Sequence, residues 1–122
     1  MTETQQKHLR MAVNQHEDAR ILINIGKFEE ALSILENILL TRRSQKQTCN
    51  LDIATTYIDK GNVHHFLGNH KQALSDLNCA VEYLVEVFGP TNKLVCKVTS
   101  SIKSIEAASF AADPYIRGAP AA

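Results

Sequence analysis

Apolar residues recur along this chain at spacings of three and four, and no stretch alternates strictly between apolar and polar, so the pattern predicts helices throughout. Five are expected. The first spans roughly residues 3–24, with Leu9, Ala12, Val13, Ala19, Leu22 and Ile23 on its inner side. Gly26 ends it, because glycine weakens a helix and readily takes positive φ at a C-terminal cap. The second runs from about Phe28 to Arg43 around Ala31, Leu32, Ile34, Leu35, Ile38 and Leu39. Arg42 and Arg43 close it, where positive charge favours the carbonyl end of the helix dipole. A polar stretch follows, SQKQTCN, inside which the third helix can begin. It carries Leu51, Ile53, Ala54, Tyr57, Ile58 and Val63 towards Leu67 and stops at Gly68. The fourth extends from about His70 to Phe88 on Ala73, Leu74, Leu77, Ala80, Val81 and Leu84, and Gly89-Pro90 stops it. The fifth, about Thr91 to Ala111, has Leu94, Val95, Val98, Ile102 and Ile105 as its stripe. Asp113 and Pro114 end it, and residues 113–122, rich in small side chains, are expected to be a mobile tail.

Short connections between long amphipathic helices make consecutive helices antiparallel neighbours. The expected fold class is therefore all-α, a string of helical hairpins in one domain over residues 1–112. At 122 residues, 44% of them hydrophobic and 21% charged, the chain can bury a modest core without disulfide or metal staples.

Charge and cysteine usage narrow the function classes. Thirteen basic side chains balance thirteen acidic ones, which argues against a nucleic-acid surface, where phosphate neutralisation needs a basic excess. No segment approaches the roughly 18 apolar residues of a membrane span. The opening MTETQQKHLR lacks the apolar stretch of a secretory signal. Three widely spaced cysteines, Cys49, Cys79 and Cys96, do not read as a disulfide framework, so a reduced, intracellular and cytoplasmic chain is expected.

The chain repeats. Ile25–Ile38, IGKFEEALSILENI, aligns with Leu67–Ala80, LGNHKQALSDLNCA, at an offset of 42 residues. Gly26 matches Gly68, Ala31 matches Ala73, Leu32 matches Leu74, Ser33 matches Ser75 and Leu35 matches Leu77. The glycine turns the chain tightly, the alanine lets two helices approach closely, and the leucines fill the seam. On these residues the sequence resembles the tetratricopeptide repeat family, with Gly61, Leu67, Gly68, Ala73, Leu77 and Ala80 at signature positions. Ala19 and Ile38 stand in the first repeat where Gly61 and Ala80 stand in the second. The family's usual spacing is shorter, and the 42-residue offset is similar to the kinesin light chain type, in which Val87–Asn92 also finds a counterpart.

The resemblance implies a short right-handed superhelix of about two and a half repeats, at about 8–43 and 50–88, with a capping helix at about 91–111. It also implies a concave face, lined by the first helix of each pair, that takes a peptide or helix of a partner protein. Carried over position by position, that face is His16, Arg20, Ile23 and Asn24 in the first repeat, and Ile58, Asn62, His65 and Phe66 in the second. Lys97 and Ser101 continue it on the fifth helix. Some family members clamp a C-terminal carboxylate with lysines and asparagines. Asn62 matches one such position, but Ile58 and Ser101 depart from the pattern, so that clamp is incomplete.

No cofactor, metal or small-molecule substrate is expected. His64 and His65 are adjacent on a helix, and His8 and His16 are about 12 Å apart along an ideal one, too far to share an ion. Thr99, Ser100, Ser101 and Ser104 have no strained elbow or partnered base, and Glu29 and Glu30 favour the dipole at a helix start. A non-catalytic protein-binding adaptor is thus expected. The alternative is a constitutive structural subunit of a large assembly, for which the repeat length suggests a cytoskeletal or ciliary setting by analogy alone.

Overall fold

The computed structural model describes residues 2–44 and 50–112. Five helices follow in order: α1 (Glu3–Asn24), α2 (Phe28–Ser44), α3 (Asn50–Phe66), α4 (His70–Phe88) and α5 (Lys93–Ala112). The fold is all-α, each helix packs on its neighbour in the chain, and α1 also reaches α3. The expected mobile tail at 113–122, and Cys49, lie outside the described residues, as do the side chains of Leu9, Ala12 and Val13.

The two matched glycine turns are built by the same hydrogen bonds. Gly26 and Gly68 each have φ 82°. The amides of Gly26 and Lys27 donate to Ile23 O and Leu22 O at 3.1 and 2.8 Å; those of Gly68 and Asn69 donate to His65 O and His64 O at 3.0 and 2.8 Å. This is the Schellman arrangement, which uses the carbonyls orphaned at a helix end and needs a left-handed residue. The start of α5 differs from expectation by two residues. Asn92 Oδ1 accepts from the Leu94 amide at 2.8 Å, so Asn92 caps the helix and Thr91 stays outside it.

Three apolar clusters make the core. Ala19, Leu35, Ile38 and Val63 join α1, α2 and α3, with Ile23 and Leu67 packed against them. Leu39, Ile53, Tyr57 and Ala80 link α2, α3 and α4, and Tyr57 stacks on Tyr83 at 5.9 Å between ring centroids. Ala54, Ala73, Leu77, Leu84, Val95, Val98, Ile102 and Ile105 hold α3, α4 and α5 together. The repeat residues have visible duties here. Ala31, Ala73 and Ala80 are fully buried, and a Cβ at Gly61 would stand 2.9 Å from Leu77 Cγ, so α3 and α4 meet too closely there for any side chain.

Candidate partner-binding groove

The face expected to be one groove divides into two places. On α3, Asn62 and His65 lie one turn apart; on α5, Lys97, Ser100, Ser101 and Ser104 recur at helical spacing and face them. Together with Ile105 they line an open cleft of about 470 Å³. Lys97 and Asn62 are exposed, His65 is half-buried, and no carboxylate lines the cleft. The cleft therefore offers hydrogen-bond donors, one positive charge and an apolar floor. The Ser101 hydroxyl donates back to Lys97 O at 3.2 Å. The His65 ring tilts against Phe66 and His70, and among the described residues its buried Nδ1 has no hydrogen-bond partner.

The other expected groove residues are placed elsewhere. Ile58 packs into the core, and Ile23 packs against the cluster of Ala19 and Val63. Phe66 is exposed but stacks on Phe28 at 5.3 Å, away from the cleft lining. Asn24 is exposed at the end of α1.

His16 is a correction. It is 6% exposed and sits inside the seam between α1, α2 and α3. Arg42 Nη1 donates to His16 Nδ1 at 3.0 Å, to Asp52 O at 3.0 Å and to Thr56 Oγ1 at 2.5 Å. A guanidinium can only donate, so His16 Nδ1 accepts, and Nε2–H then faces the carboxylate of Asp59. Arg20 Nε donates to the same Asp59 oxygen at 3.2 Å, and the Thr56 hydroxyl donates to Asp52 O at 2.8 Å. Arg20 is thus exposed but engaged.

Arg42 does more than face the end of its helix. Burial pushes its pKa down and Asp52 opposes the shift, but a guanidinium starts so high that it stays charged. Sequence reasoning missed Arg42, Thr56 and Asp59, although the repeat carried the signal. At the offset of 42, His16, Arg42 and Thr56 correspond to Ile58, Leu84 and Val98, three members of one apolar cluster. A polar triad in one seam replaces an apolar triad in the next.

A second buried polar group lies between α3 and α4. Lys60 Nζ and Gln72 Nε2 both approach Asp76 Oδ1, at 3.3 and 3.2 Å. His64 Nε2 is 3.9 Å from Asp76 Oδ2, and Asn69 Nδ2 is 3.3 Å from His64 Nδ1. Burial pushes the His64 pKa down, against Asp76, which raises it.

Among the described residues no group of three or more His, Cys, Asp and Glu is placed to hold a metal ion, and no helix is long and apolar enough to cross a membrane. No family model, curated protein or solved structure matches the chain significantly.

Proposed function

We propose that this chain is a non-catalytic interaction module of tetratricopeptide type that holds a peptide or helix of a partner protein in the cleft between α3 and α5. The observation that carries the reading is the gathering of Asn62 and His65 of α3 opposite Lys97 and the serines of α5, with Ile105 beneath. Such a surface combines directional donors with apolar area, as protein-recognition sites do.

The test is comparative purification. Proteins that accompany the wild-type chain at stoichiometric level should be lost from the double variant His65→Ala, Lys97→Ala, provided it unfolds at the wild-type midpoint. Retention of the same partners by that variant would count against the cleft.

The exposed apolar side chains Met11, Ile21, Ile25 and Leu40 favour a second reading, a constitutive subunit held through its outer faces. In that case the partners survive high salt and are indifferent to the cleft variant.

A further inference from the structure

The charges in and around the cleft between α3 and α5 narrow what it can hold. Lys97 gives the lining its fixed positive charge, and no carboxylate enters the lining. The Lys97 ammonium, the Asn62 amide and the hydroxyls of Ser100 and Ser104 make no hydrogen bond or ion pair among the described residues. A concave surface thus carries one cation without a counterion and several donors without acceptors.

The neighbouring charges keep this sign. Lys93 stands one turn before Lys97 on the same side of α5, and Lys103 lies on its flank. Glu106, the one acidic residue of α5, comes nine residues after Lys97 and so falls on the opposite side of the helix. On α3, Asp59 lies one turn from Asn62, but its carboxylate faces His16 Nε2 and accepts from Arg20, and its side chain is 18% exposed. Lys60 is held on the other side of α3 by Asp76.

Such a set suits a ligand group with one negative charge and several lone pairs. A carboxylate is that group. A phosphate brings nearly two charges and is characteristically met by clustered arginines, and no arginine lines this cleft. Lys97, Ser101 and Ser104 form a stripe about 10 Å long on α5, and the cleft is open, so a chain can pass along it.

We propose that the cleft recognises an acidic peptide segment, taking the side-chain carboxylate of one aspartate or glutamate at Lys97, with the Asn62 amide and the α5 hydroxyls as further donors. This rests on the reading of the cleft as a peptide-binding surface and adds the charge that the partner must bring.

The probe is an array of random-sequence nonapeptides, acetylated and amidated so that only side chains differ in charge, incubated with the fluorescently labelled full chain. Sequences that bind should be enriched in aspartate and glutamate. The enrichment should vanish for Lys97→Met and turn to lysine and arginine for Lys97→Glu. The strongest binder is then titrated by fluorescence anisotropy. Replacing its acid by the matching amide should weaken binding at least tenfold, and Lys97→Met should lose as much. Both changes together should lose little more than either alone, because they remove the same contact. Lys97 and Asn62 are exposed, so thermal melting should show the variants folded. Peptides that bind without acidic enrichment, yet are released by Asn62→Ala, overturn this inference and leave the peptide-binding cleft standing. So does tighter binding when phosphoserine replaces the acid. Failure of every peptide to bind, or binding indifferent to both Asn62→Ala and Lys97→Met, overturns both readings.

Discussion

Arg42 donates to Nδ1 of His16 at 3.0 Å inside the first seam, and these two side chains occupy the positions that Leu84 and Ile58 hold one repeat later. The same backbone position is thus filled once by a hydrogen-bonded cation and once by a methyl-bearing side chain. Each solution works only as a set, because a buried polar atom that loses its partner keeps the full cost of desolvation.

This non-additivity is measurable. Arg42→Met leaves the buried His16 Nδ1 without its donor and should destabilise the chain by about 3 kcal/mol. The triple variant His16→Ile, Arg42→Leu, Thr56→Val, which copies the second seam into the first, should recover that loss. Urea unfolding of wild type, single and triple variants decides it. A triple variant less stable than Arg42→Met would show that the polar set is irreplaceable.

The glycines divide by mechanism. Gly68→Ala meets no atom within 4 Å but forces a side chain to φ 82°, at a cost of about 1 kcal/mol. Gly61→Ala has ordinary backbone angles but drives its Cβ to 2.9 Å from Leu77 Cγ and 3.3 Å from Ala73 O. Leu77 is buried and cannot swing away, so about 1–3 kcal/mol of strain should appear. Leu77→Ala placed on Gly61→Ala should relieve part of that strain, whereas Leu77→Ala combined with Gly68→Ala should be additive. Thermal midpoints of the two double variants separate the mechanisms.

Acid should weaken the fold through His64. Burial holds its pKa below the ordinary 6.5, with Asp76 and Glu36 opposing and Lys60 assisting. Between the folded and unfolded values the unfolded chain carries the extra proton, so stability rises with pH there. The stability is complete above about pH 6.5 and is lost as pH falls towards the lower folded value. His64→Gln should flatten that part of the profile in denaturant midpoints taken from pH 7.5 to 5. An unchanged slope would assign the acid loss to other groups.

The two described thiols should react at different rates. Cys96 is exposed on α5, whereas burial, with Glu82 and Asp76 adding to it, pushes the Cys79 thiol up and starves it of thiolate. In a Cys49→Ser background, a thiol reagent at neutral pH should label Cys96 at least tenfold faster than Cys79. Comparable rates would mean that α4 opens readily.

Helix number, helix type and most of the core follow from sequence alone. Apolar spacing of three and four has one structural meaning over stretches this long, and Gly26, Gly68 and Gly89-Pro90 leave little choice of where helices stop. Periodicity places the start of α5 two residues too early, because capping is decided by one hydrogen bond, from the Leu94 amide to Asn92, which periodicity does not encode. Which polar residues face solvent was decided only by tertiary packing. Lys97 sits far in sequence from Asn62 and His65 and meets them because α5 folds back along α4. His16, Arg42, Thr56 and Asp59, equally polar on paper, meet in the interior because the first seam closes over them. Hydrophobicity read along one dimension assigns polar residues to water by default. A buried guanidinium becomes affordable only when His16, Asp52 and Thr56 arrive from other helices to satisfy it.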